Sequence, residues 1–255
     1  MNMKIFGALV CLFILSAVCA AEDSSTYYDR LGSKLYTARN YTEALDYFNK
    51  SLAQNASNAD AWTHRGNTWK ALNKLNESID SYKKGLELDD KKTAAWSGLA
   101  DAYNSKKDYA NASNAAGKAA ESDKKDKAAR LREGNILQLR GLFEEAAVKY
   151  NGALSIDANY TDALYRKGLS SLAANNTTEA IELFDSVLAR NPKHKLAYNA
   201  KGQALEAQGK YTSALMAYDR ALQIDPKWNQ ALVNKMHVLM AQGKQKEAMD
   251  IFLTV

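Results

Sequence analysis

Apolar, small and polar side chains recur along this chain with a period of thirty-four residues. Every thirty-fourth position from Gly32 reads Gly66, Ala100, Gly134, Gly168, Gly202, Met236. A second column reads Ala44, Ser78, Ala112, Ala146, Ala180, Ala214, Ala248, and a third Phe48, Tyr82, Ala116, Tyr150, Phe184, Tyr218, Phe252. Seven units fit in phase without insertion or deletion, and self-similarity at such a period marks a stacked-repeat architecture. Within a unit, small side chains at two points let two helices approach and a large one fills the space beside them. Bulky residues at the fourth position (Trp62, Trp96, Tyr198) and the eleventh (Trp69, Leu137, Leu205) are seven apart and share one helix face, which is expected to pack inward. Gly141, Gly209 and Gly243 stand before the expected second helix, and Asp157-Ala158, Asn191-Pro192 and Asp225-Pro226 after it. Each unit therefore reads as a helical hairpin.

The pattern Tyr-x-x-x-Gly, then Tyr-x-x-Ala-x-x-x-Tyr, closing on Asp-Pro, resembles the tetratricopeptide repeat. The clearest copy runs from Ala197 to Lys227 and carries Tyr198, Gly202, Leu205, Gly209, Tyr211, Ala214, Tyr218, Ala221 and Pro226. The resemblance implies an all-α, right-handed superhelical solenoid of about seven repeats, at about 25–58, 59–92, 93–126, 127–160, 161–194, 195–228 and 229–255. Repeat three departs from the pattern, with Ala100 for glycine, Ala116 for the aromatic, and Gly117 inside the second helix. Truncating a core aromatic to alanine removes about 3–5 kcal/mol of packing and a mid-helix glycine costs up to about 1 kcal/mol. The stack is expected to be weakest there. At the other end, the apolar Ile251, Phe252, Leu253 and Val255 are followed by no polar capping helix, and this end is expected either to pair with another copy or to fold back.

Residues 1–20 have a different character. A short positive start at Lys4, an apolar run from Ile5 to Val18 and the small residues around Ala20 have the layout of a secretory signal peptide, with 21–24 a short linker. A fourteen-residue helix covers about 21 Å, short of a hydrocarbon core of about 30 Å, so no membrane span is expected once the signal is cleaved. Both cysteines, Cys11 and Cys19, fall in that segment. The mature chain is therefore expected to hold no disulfide, thiol nucleophile or thiolate-bound metal. The expected compartment is the extracytoplasmic envelope or the exterior.

The formal charge of +5 is small and spread along 255 residues, unlike the concentrated basic face of a nucleic-acid binder. His64, His194 and His237 are solitary, no carboxylate or cysteine cluster has metal-ligand spacing, and no phosphate-cradling glycine motif occurs. Neither catalysis nor a cofactor is expected, and the partners are expected to be proteins or peptides.

The resemblance places the sixth and ninth positions of each first helix on a concave groove. Asn67, Arg132, Asn135, Arg166, Gln203 and Asn234 at those positions, with Asn199 one place before the sixth, are the candidates for gripping a peptide there, amides on its backbone and the two arginines on a carboxylate. Family members that clamp a terminal carboxylate use lysine and asparagine on one first helix, asparagine on the next, and lysine plus arginine on the third. Gly98 and Ala128 break that set here.

Asn-x-Ser/Thr triplets begin at Asn40, Asn49, Asn55, Asn76, Asn111, Asn159, Asn175 and Asn176. From 20 asparagines and 28 serines and threonines, chance alone predicts about two such triplets. Seven fall in expected turns, where asparagine also favours the position for its own sake, and Asn49 falls on a helix. A glycosylated surface protein that associates through its C-terminal helix is the alternative to a groove-bearing scaffold.

Overall fold

The computed structural model describes residues 23–253. The export segment expected at 1–20 and the terminal Val255 lie outside the described residues. Seven hairpins follow one another: α1 (Ser24–Thr37) with α2 (Tyr41–Gln54), α3 (Ala59–Ala71) with α4 (Leu75–Leu88), α5 (Thr93–Ser105) followed by α6 (Tyr109–Ser122), α7 (Lys127–Leu139) with α8 (Phe143–Ile156), α9 (Thr161–Ala173) with α10 (Thr177–Arg190), α11 (Lys195–Ala207) with α12 (Tyr211–Ile224), and α13 (Asn229–Ala241) with α14 (Gln245–Phe252). No strand occurs among the described residues. From α3 onward, helix starts recur every thirty-four residues, as the residue columns do.

The turn inside each hairpin is built one way throughout. Arg39, Asn73, Lys107, Gly141, Asn175, Gly209 and Gly243, spaced by thirty-four, all have positive φ, between 58° and 77°. In most hairpins the next backbone N–H bonds back five residues, as Asn40 does to Leu35 and Lys210 to Leu205, both at 2.9 Å. This left-handed closure consumes carbonyls that the first helix leaves unpaired.

The chain divides into two compact units, residues 1–107 and 108–255. The division falls between α5 and α6, in the repeat that departs most from the pattern. Within each unit a first helix packs on its own second helix and on the second helix before it. Consecutive first helices also touch: α1 with α3 and α3 with α5 in one unit, and α7 with α9, α9 with α11 and α11 with α13 in the other. Among the described residues no two second helices pack as closely. The first helices are thus the crowded inner side of each unit.

The core bears out part of the sequence expectation: on the face of the fourth and eleventh positions, Leu137 and Leu205 are buried. Trp62, Trp69, Trp96 and Tyr198 are only half-buried. The Trp62 and Trp96 indole N–H groups donate to the carbonyls of Ala56 (2.8 Å) and Asp90 (2.7 Å), which holds these amphipathic rings at the junction between hairpins. Among the described residues the fully buried aromatic side chains are Phe48, Tyr82, Tyr150, Phe184 and Tyr218, all from the third column. Each lies against the glycine of its own hairpin: a Cβ added to Gly32, Gly66, Gly134, Gly168 or Gly202 would come within 2.4–2.7 Å of the ring. The glycine and aromatic columns are therefore two halves of one contact. Repeat three has changed both halves, to Ala100 and Ala116, and the buried residues of α6 are alanines only. Repeat seven keeps Phe252 but has Met236 in the glycine position. The ring lines an apolar cleft together with Met236 and stands 63% exposed.

Candidate functional site

The sequence candidates divide between the units, Asn67 in the first and the others in the second. They do not behave alike. Asn67 Oδ1 accepts from the Tyr82 hydroxyl at 2.6 Å, and Asn135 Oδ1 from the Tyr150 hydroxyl at 2.9 Å, with Gln138 Oε1 accepting from the same hydroxyl at 3.1 Å. Each of these two tyrosines, seated in its glycine slot, thus delivers its one polar atom to an amide on the inner face. Burial pushes the Tyr82 and Tyr150 hydroxyls far above the usual tyrosine range, so both remain donors. With Oδ1 so used, the amide is oriented with Nδ2 available as a donor to a ligand carbonyl.

Asn199 and Asn234 serve otherwise. Asn199 is buried, and its Oδ1 accepts from Asn234 Nδ2 at 2.9 Å, a strut between α11 and α13. The expected solvent-facing role does not fit Asn199, because a buried amide needs an internal partner and has found one. Three further struts link consecutive first helices: His64 Nδ1 with Asp29 at 2.9 Å, Lys70 with Asp101 at 3.0 Å, and His237 with Glu206, whose other carboxylate oxygen accepts from Tyr218. Gln203 is half-buried beside them. Sequence reasoning missed these struts because their partners lie about one repeat apart and pair only when first helices stand side by side.

Arg132 and Arg166 hold the same position on α7 and α9. Arg132 is half-buried and Arg166 exposed. Burial raises the Tyr150 and Tyr165 hydroxyls, and the Arg166 guanidinium draws both part of the way back. No carboxylate among the described residues pairs with Arg166. The first helices of the second unit also carry exposed apolar side chains that the polar expectation left out: Leu139 on α7, Leu196 on α11, and Val233 and Met240 on α13.

Among the described residues no group of three or more His, Cys, Asp or Glu could hold a metal ion, and no helix is long and apolar enough to cross a membrane. All eight asparagines of the Asn-x-Ser/Thr triplets are exposed.

Paired helices in a thirty-four-residue period, closed on a glycine-aromatic contact, define a helical-repeat protein. The chain belongs to the tetratricopeptide repeat family: models of that repeat match residues 30–92, 93–126 and 165–227, more than half of its length. Solved structures agree. A structure of YrrB, described as a tetratricopeptide repeat protein with an unusual peptide-binding site, is 24% identical with a TM-score of 0.65, covering 74% of this chain and 97% of its own. The C-terminal part of a repeat protein from Cytophaga hutchinsonii is 17% identical with a TM-score of 0.76, covering 88% and 94%. A tetratricopeptide repeat protein from Parabacteroides merdae is 14% identical with a TM-score of 0.70, covering 91% of each. At these identities the likeness is one of fold. No curated protein matches the sequence. The family and fold mark the chain as a protein–protein interaction scaffold of a generally non-catalytic kind.

Proposed function

We propose that the chain acts outside the cytoplasm as a non-catalytic scaffold that holds an extended protein segment on the first-helix face of its second unit. The observation that carries the reading is Arg166, an exposed cation without an acidic partner among the described residues, in the same unit as the Asn135 amide that the buried Tyr150 hydroxyl already orients. Buried tyrosines that spend their hydroxyls on inner-face amides keep those amides pointing one way before any ligand arrives, which lowers the ordering cost of binding. A carboxylate on the partner would meet Arg166 in a charge-assisted bond, and apolar side chains further along would meet Leu196, Val233 and Met240. The peptide-binding site ascribed to YrrB is support by analogy of fold only. Export rests on the Lys4 to Ala20 pattern alone.

The test is a peptide library displayed against the full chain, with titration of the selected peptides. Acidic-apolar segments are the expected winners, with Arg166→Ala weakening them about tenfold or more, the scale of a lost charged hydrogen bond. Selection of basic segments, or indifference to Arg166→Ala and Arg132→Ala together, overturns the reading.

A second reading has its own observation. Met236, Met240, Ala248, Met249 and Phe252 line an apolar cleft of about 420 Å³, and Met240, Met249, Phe252 and Leu253 are 57–76% exposed around it. Apolar surface of this kind favours pairing with a second copy. Sedimentation would then show concentration-dependent association that Phe252→Asp abolishes.

A further inference from the structure

Asparagine is common at helix starts because its side chain caps them, and that is the ordinary explanation for a surplus of Asn-x-Ser/Thr triplets in a chain of short helices. The structure removes it. The asparagine that caps a helix with its side chain is Asn58, which accepts from the Ala61 N–H at 3.0 Å, and Asn58 does not begin a triplet. Asn40 and Asn176 stand at the N-caps of α2 and α10 and make no side-chain cap bond. At the same place in other hairpins the chain has Lys74, Leu142, Lys210 and Lys244, so the turn itself does not call for asparagine. Asn49 and Asn76 lie within helices, where asparagine is a poor choice.

The triplets are also distributed by side. Six asparagines belong to first helices, among them Asn67, Asn135 and Asn234, and none of the six begins a triplet. All eight triplets lie in turns, at second-helix starts or on α2, and all eight asparagines are exposed. In Asn49, Asn55, Asn76 and Asn159 the protein engages only Oδ1, which accepts from Arg65, Ser57, Lys106 and Arg190 respectively. In these four Nδ2, the atom that would carry a sugar, has no protein acceptor among the described residues, whereas in Asn40 and Asn111 it donates to the carboxylates of Glu43 (2.6 Å) and Asp108 (2.7 Å).

We propose that the chain is N-glycosylated on the turn and second-helix side of its hairpins, and that the first-helix face stays bare. The donor is a polyprenyl-pyrophosphate- or phosphate-linked oligosaccharide. The asparagine Nδ2 forms a bond to the anomeric carbon, the bond from that carbon to the phosphate oxygen breaks, the lipid phosphate leaves with the electron pair, and the amide gives up one proton. The serine or threonine hydroxyl two residues on is part of the acceptor motif. Exposed, bulky sugars of this kind are compatible with a turn and incompatible with the crowded contacts between first helices. Glycosylation rests on the export reading above; only the bare face as a docking surface rests on the scaffold reading.

The experiment is peptide mapping by mass spectrometry of the full chain purified from its own host, with the cell fraction recorded. Sugar increments are expected on peptides holding Asn40, Asn76, Asn159 and the Asn175-Asn176 pair, and none on those holding Asn67, Asn135, Asn199 or Asn234. Thr42→Ala and Thr161→Ala, which leave the asparagines in place, are expected to remove one increment each, with circular dichroism confirming the fold. Eight bare triplets in protein recovered outside the cytoplasm overturn glycosylation while leaving export standing; bare protein found only in the cytoplasm overturns both. Increments that survive loss of the hydroxyl place the sugar elsewhere and also overturn the proposal. Peptide binding by the same sample reads the scaffold function separately.

Discussion

At the residue scale, two positions per repeat are set by backbone and space rather than by polarity. The closing residue of each hairpin turn has positive φ, and an L side chain there costs about 1–2 kcal/mol that glycine does not incur. Gly141, Gly209 and Gly243 meet the demand directly, whereas Arg39 (φ 61°) and Lys107 (φ 60°) do not. Arg39→Gly and Lys107→Gly are therefore expected to stabilise the chain by about 0.5–1 kcal/mol each, after the entropy that glycine adds to the unfolded chain, and urea midpoints check this. The other position is the glycine facing the ring. Gly202→Ala is expected to cost about 1–3 kcal/mol by overpacking, because its new Cβ would lie 2.4 Å from Tyr218 and the ring is fully buried. Combining it with Tyr218→Ala is expected to be clearly less costly than the sum of the two single changes, since the added methyl then meets a void; a double-mutant cycle that sums additively would show that the two do not meet.

At the scale of elements, most second helices are pinned by one large ring each. α8, α10 and α12 bury Tyr150, Phe184 and Tyr218, whereas α6 buries Ala112, Ala115, Ala116, Ala119 and Ala120. Alanine favours helix but buries little area, and area removed from water stabilises by about 25 cal/mol per Å². Hydrogen exchange is expected to be faster in α6 than in α8, α10 or α12, and equal protection across the four would overturn the point. α14 is weak for another reason. Met236 stands where five other repeats have the glycine that seats the ring, so Met236→Gly is expected to raise protection of α14: burying a phenylalanine is worth about 1.5–3 kcal/mol against about 1 kcal/mol for a helix glycine.

At the scale of the molecule, the chain is two compact units with their boundary at Lys107 and Asp108. Lys106 and Lys107 are both exposed, and Lys107 holds a left-handed backbone. Limited trypsin digestion is expected to cut there before any other lysine or arginine of the described residues, leaving a fragment that begins at Lys107 or Asp108. First cleavage inside another hairpin turn, such as Arg140-Gly141, would show that the third turn is no weaker than the rest. Lysine–carboxylate pairs bridge the described surface, and most are exposed enough that each contributes at most about 1 kcal/mol. Stability rests instead on buried apolar side chains, the ring-on-glycine contacts among them.

The repeat, the helical hairpins and the family were legible in the residues alone, because a stacked architecture imposes the same steric demand every thirty-four positions and Gly202, Ala214 and Tyr218 answer it in type as well as in place. The turn was half legible. Gly141, Gly209 and Gly243 announce it, but Arg39 and Lys107 adopt the same conformation without any residue signal, since the neighbouring helices enforce it. Which side chains are deepest was not legible: Trp62 and Tyr150 are both large and amphipathic, and only packing against a particular glycine separates the buried ring from the half-exposed one. The inner face followed the same rule. Arg166 could be placed on it by position, while the commitment of Asn199 to Asn234 and of Asn67 to Tyr82 came from distances that no spacing in the chain encodes. Local sequence sets what a repeat is; the packing within and between repeats decides which of its polar atoms remain for a partner.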